Sequence, residues 1–164
     1  MRRTNYIVLG ALLAAIAAIF QLTPVLLSEA AVILTILSTL PVYLSSRLKP
    51  SVGVMTYFVA AILIFLFSTH EALFFMCTNG VVGLSLGICR YFKLKRHITL
   101  FISTIALTGS LGIMNYGIGI PIFGTELPGI LLIQILILTV FSILYNFIFL
   151  LLTEFLYKRI KFSF

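Results

Sequence analysis

The side chains that could do metal or acid–base chemistry here are few and widely spaced: His70 and His97, Cys77 and Cys89, and the carboxylates Glu29, Glu71, Glu126 and Glu154. A metal centre needs three or four ligands at one point, and nucleophilic catalysis needs a nucleophile within hydrogen-bond reach of a base. The pattern of apolar segments puts the two histidines on opposite sides of a membrane. Cys77 and Cys89 fall about 18 Å apart along one helix by the helical rise, too far for a disulfide, and read as buried thiols. No metal, cofactor or catalytic constellation is expected, and the chain is not expected to be an enzyme. Nor does any acid or base lie near the middle of an apolar segment, where ion-coupled carriers keep their working charge.

What remains is a polar set near one end of the apolar segments: Gln21, His70, Asn79, Asn115, Tyr116, Glu126 and Gln134. Asn79 and Gln134 lie inside apolar segments, Asn79 about 10 Å beyond the start of its helix, where bulk water cannot satisfy an amide and a partner is required. Glu71 closes the pattern Ser68-Thr69-His70-Glu71, an S/T-x-x-E capping box, and is assigned to that cap. The stretch Tyr116 to Pro128, YGIGIPIFGTELP, carries three glycines and two prolines and cannot be a regular helix. Its Ile and Phe content reads as a cap folded over the bundle, a lid over an outward cavity.

The elements that must position these residues are apolar. Hydrophobic residues make up 62% of the chain and charged residues 9%, with a mean hydropathy of +1.23, which describes an integral membrane protein with one compact domain. The net charge of +7 comes from Lys and Arg clustered between apolar runs, where they meet anionic headgroups, so nucleic acid is excluded as a partner. Six helical spans can be drawn, at 6–26, 29–46, 52–68, 71–92, 98–116 and 129–157. All 11 Lys and Arg then lie on one side, which the positive-inside rule makes cytoplasmic together with both termini. Glu29, Glu71 and Glu126 take the three opposite connections. The run after Arg2-Arg3 is too long for a secretory signal's apolar region and is kept as a span. Pro41 should kink the second span near its inner end. Gly80, Gly83 and Gly87 form a close-packing face on the fourth. Hydroxyls on the fifth, such as Thr99, Ser103, Thr104 and Thr108, can bond their own helix carbonyls. Glu154 is expected to pair with Lys158 at i+4.

The first span, YIVLGALLAAIAAIFQL from Tyr6 to Leu22, carries two adjacent small-residue stripes, Gly10/Ala14/Ala18 and Ala11/Ala15. Small-xxx-small spacing lets another backbone approach closely, and by itself is read first as packing within the chain. Six spans with both ends inside, a first span containing Ala-Leu-Leu-Ala-Ala-Ile-Ala-Ala and an outward polar cluster under irregular loops resemble the substrate-binding S components of energy-coupling factor (ECF) vitamin transporters. That resemblance implies a prokaryotic plasma-membrane protein that captures a small nutrient at the outer face. It would associate with a transmembrane coupling subunit driven by a pair of cytoplasmic ATPases. It also implies that substrate contacts come mostly from the outer loops and the last three helices, which makes Asn79, Asn115, Tyr116, Glu126 and Gln134 the candidate substrate-binding residues. It further implies that Ala11 and Ala15, or in the other register Ala14 and Ala18, face the coupling subunit. The chain has no Trp, so indole stacking used by some members for aromatic vitamins is missing. The rival expectation is a structural membrane protein of the cell-wall elongation machinery, similar in size to the rod-shape-determining family, with no small-molecule ligand.

Overall fold

The computed structural model of the protein describes residues 3–27, 31–121 and 129–159, and every regular element among them is a helix. α1 is Arg3–Leu26; α2, Val32–Thr35, runs through a 3₁₀ turn at Ile36–Ser38 into α3, Thr39–Leu48; α4 is Pro50–Phe65. α5, Thr69–Cys77, and α6, Asn79–Tyr91, share one rod broken at Thr78, and α7, Arg96–Gly112, ends in a wider π turn at Ile113–Ile118. α8 is Leu131–Arg159. The six apolar segments of the sequence each coincide with a helix or a broken helix pair. Four of these, Thr4–Leu26, Thr69–Tyr91, Arg96–Ile118 and Leu131–Phe155, are long and apolar enough to cross a membrane. The second and third are not. Val32–Leu48 and Pro50–Phe65 are shorter, and at about 1.5 Å per residue the 16 residues of α4 reach only about 24 Å against a hydrocarbon core of about 30 Å.

Local chemistry sets the ends. Pro50 starts α4, where its missing N–H costs nothing, after an extended Lys49. Arg47 and Arg90 stand in the last turns of α3 and α6, where the helix dipole favours cations. Gly119, at φ 77°, terminates the π turn in the left-handed region that a side chain would resist.

α3 is the keel of the bundle. A Cβ on Gly83 would lie 2.6 Å from the Thr39 carbonyl oxygen, and one on Gly87 2.4 Å from Ser46 Cβ, so α6 crosses α3 backbone to backbone. Gly53 brings α4 equally close, since a Cβ there would lie 2.4 Å from Ser46 Cα. The glycine face expected at Gly80, Gly83 and Gly87 is therefore real: the last two meet α3 and Gly80 meets the Tyr57 ring. On one side of α3, Val42 joins a core of small residues, with Ala14, Ala17 and Ala18 of α1 against Ala60, Ala61 and Ile64 of α4. On the other side, Tyr43 joins a core of large ones, including Leu86, Leu107, Leu138 and Phe149. The two stripes of α1 thus part company: Ala14 and Ala18 are buried in the chain's own core, whereas Ala11 and Ala15 stand exposed.

The described basic residues gather at one end. Lys49 Nζ lies 5.9 Å from the centroid of Tyr6 at the start of α1, and the Arg96 guanidinium lies 5.4 Å from that of Phe147 on α8. Arg90 at the end of α6 forms an ion pair with Glu154; the side chain of Lys158, its expected i+4 partner along α8, lies outside the described residues. Thr99 and Ser103 do bond carbonyls of their own helix, at 3.2 and 2.9 Å; the Thr104 and Thr108 hydroxyls find no partner among the described residues.

Candidate functional site

At the end away from the basic residues, two helix interruptions lie side by side. Pro41 has no N–H for the carbonyl four residues back, and the helix ahead of it tightens into the 3₁₀ turn Ile36–Ser38, one turn N-terminal of the proline and farther from the basic end than the sequence suggested. The second break is Thr78, at φ −122° and ψ −89°. Irregular backbone at membrane depth persists only where it is buried in protein and its polar groups find partners. Side chains supply them here. Asn79 Nδ2 donates to the Thr35 carbonyl at 3.0 Å, and the Tyr57 hydroxyl donates to the Met76 carbonyl at 3.0 Å.

Asn79 is 5% exposed and sits at the centre of a connected set. Its Nδ2 also donates to Gln21 Oε1 at 3.0 Å, and its Oδ1 accepts from the Tyr145 hydroxyl at 2.6 Å. Gln21, 2% exposed, accepts a further bond from Ser38 Oγ at 3.0 Å and donates through Nε2 to Glu71 Oε2 at 2.8 Å. Side chains from α1, the 3₁₀ turn, α5, α6 and α8 thus converge on one point. The point opens into a cavity of about 460 Å³, within the usual range for small-molecule sites. Its walls are mainly apolar, with Ile36, Phe74, Leu107 and Phe141, and the polar side chains that line it include Gln21, His70, Glu71, Asn79 and Tyr145.

No family model matches this chain, and neither does a curated protein or a solved structure. The functional reading therefore rests on the cavity.

The five candidate binding residues do not meet. Asn79 belongs to the cavity. Tyr116 and Gln134 pair with each other instead, the Tyr116 hydroxyl donating to Gln134 Oε1 at 2.7 Å while Gln134 Nε2 donates to the Gly129 carbonyl at 3.1 Å. That pair joins the π turn to the start of α8 and does not line the cavity. Asn115, half-buried, does not line it either. Glu126 lies outside the described residues, as does most of the loop expected to form a lid.

Glu71 needs a correction. Ser68 Oγ accepts from the Glu71 N–H at 3.3 Å, so half of the capping box forms. The other half does not, because the Ser68 N–H is already held by the Ile64 carbonyl at 2.9 Å, and the Glu71 carboxylate turns to Gln21. The cap was legible but the carboxylate's second role was not. Tyr145, Thr35 and Ser38 were missed as well, since an aromatic or hydroxyl residue in an apolar helix carries no signal of its own. Asn146, fully buried with its Nδ2 on the Ser142 carbonyl at 2.8 Å, was legible as an amide deep in the last span and was passed over.

Among the described residues no group of three or more His, Cys, Asp or Glu could hold a metal, and Cys77 and Cys89 are free and buried. A second cavity, of about 310 Å³, lies between α1 and α4 at the basic end; Ala11 lines it with Gly10, Met55 and Lys49.

Proposed function

We propose that this chain is the membrane-embedded binding subunit of an uptake system for a small nutrient, working with a transmembrane coupling subunit and a pair of cytoplasmic ATPases. The observation that carries this reading is the buried polar cluster at the crossing of two interrupted helices, opening into a mostly apolar cavity. Interrupted helices are where membrane transport proteins commonly build substrate sites, because the local backbone and side chains turn inward there. A purely structural membrane protein has no need of such a cavity.

In this reading all six apolar segments cross the membrane, the shorter second and third with local thinning or tilt of their neighbours. The basic end is cytoplasmic and the cavity faces outward. Lys93→Cys should then resist an impermeant thiol reagent added to intact cells while Gly119→Cys reacts. The reverse pattern would invert the topology and remove the cavity from the outer face.

The exposed Ala11 and Ala15, beside the α1/α4 cavity, are the register that faces the coupling subunit; Ala14 and Ala18 support the chain's own core. Purification from native membranes tests the assignment. A retained small molecule, together with a coupling subunit and ATPases that Ala15→Trp removes without loss of thermal stability, is the expected result. A constitutive protein partner with no retained small molecule would replace it with the cell-wall elongation reading.

A further inference from the structure

The hydrogen bonds around Asn79 have a direction. The Thr35 carbonyl can only accept, so the Asn79 amide must present its nitrogen there, which turns Oδ1 to the Tyr145 hydroxyl. The same nitrogen donates to Gln21 Oε1, which in turn places the Gln21 nitrogen against Glu71 Oε2. Each link fixes the next. Tyr145, Asn79 and Gln21 all donate the same way, and the series ends on the Glu71 carboxylate. Such bonds polarise one another in a medium of low dielectric.

The same geometry shows which group still has capacity for a ligand. Both N–H groups of Asn79 are taken, by Gln21 and by Thr35. A carboxylate offers about four lone-pair sites, and Gln21 occupies one of those on Glu71. Glu71 is half-buried and makes no ion pair among the described residues, where the single such pair, Arg90 with Glu154, lies at the opposite end. No Lys or Arg lines the cavity. Its walls instead carry the rings of Phe74, Phe141 and Tyr145, the last two 5.8 Å apart and tilted by 30°. A carboxylate against apolar and aromatic walls suits a cation, since the ring faces are electronegative and an anion would meet the Glu71 charge with only the His70 imidazole of the lining to oppose it.

Building on the binding-subunit reading, we propose that the cavity takes a small organic cation, an ammonium or cationic heteroaromatic group on an apolar body, with Glu71 as its counter-ion. Gln21 and Asn79 are positioning residues that hold the carboxylate.

Calorimetry on the purified chain in maltoside detergent tests this with three probes of similar size: benzyltrimethylammonium, neutral benzyl alcohol and anionic benzoate. The cation should bind at least about tenfold more tightly than the other two. Glu71→Gln, which keeps an acceptor for Gln21, should weaken the cation by about ten- to a hundredfold and leave benzyl alcohol unchanged. Glu71→Asp should keep the preference for the cation. A variant that misfolds would lose the neutral probe as well, and its thermal unfolding would show it. Equal or tighter binding of benzoate or benzyl alcohol, no saturable binding of the cation, or full cation affinity in Glu71→Gln overturns the assignment of charge. The underlying reading fails separately, if mass spectrometry of the parent protein finds no retained small molecule.

Discussion

Two polar clusters stand toward the same end of this bundle, and they are built differently. Around Asn79, five segments contribute side chains, Gln21 and Asn79 are almost fully buried, and Asn79 also satisfies the Thr35 carbonyl beside the 3₁₀ turn. Around Gln134, two adjacent elements contribute one tyrosine and one amide; Tyr116 is 44% exposed, and neither residue lines the Asn79 cavity. Both clusters contain a Tyr hydroxyl donating to an amide oxygen. Connectivity and depth distinguish them: one cluster organises the fold around a space, the other fastens two neighbouring elements.

The comparison predicts a graded series. Asn79→Ala should have the largest effect, because it leaves the Thr35 carbonyl and the Tyr145 hydroxyl without partners in a buried setting. A loss of about 1–3 kcal/mol in unfolding free energy is expected, measured by denaturation in mixed micelles. A loss as small as that of a surface substitution would erase the distinction. Tyr145→Phe removes one donor and leaves only Asn79 Oδ1 unpaired, so about 1 kcal/mol is expected by the same measurement. Gln134→Ala should fall within about 0.5 kcal/mol of the parent protein, as substitutions at partly exposed positions usually do. If Gln134→Ala proved the most damaging of the three, the start of α8 would be the organising point.

The sequence made one of these clusters half visible. Asn79 was recognisable because an amide a few turns inside an apolar segment must find partners, whatever the fold. Gln21 stood in the polar set only by its place near the end of its apolar segment, where an interface position explains it as well. The Ser68 cap and the glycine face of α6 were readable because both rest on fixed local spacings, and the structure places Gly83 and Gly87 hard against α3. Other features depend on contacts between distant segments. That Tyr145 meets Asn79 across 66 residues, or that the Glu71 carboxylate turns to Gln21 across 50, follows from how α1, α5, α6 and α8 cross. Periodicity does not encode such crossings. The same holds for α1, whose two alanine stripes look alike in sequence and become inside and outside only once α4 packs against one of them. Grouping Asn79 with Gln134 followed from shared chemistry, whereas the structure separates them by position.

Native mass spectrometry of the parent protein, Asn79→Ala and Gln134→Ala, each released gently from membranes, addresses the central claim that the Asn79 cavity is a binding site. The account predicts a small-molecule adduct on the parent protein and on Gln134→Ala, and its depletion from Asn79→Ala. Absence of any adduct on the parent protein, or an adduct that survives Asn79→Ala and disappears in Gln134→Ala, would contradict it.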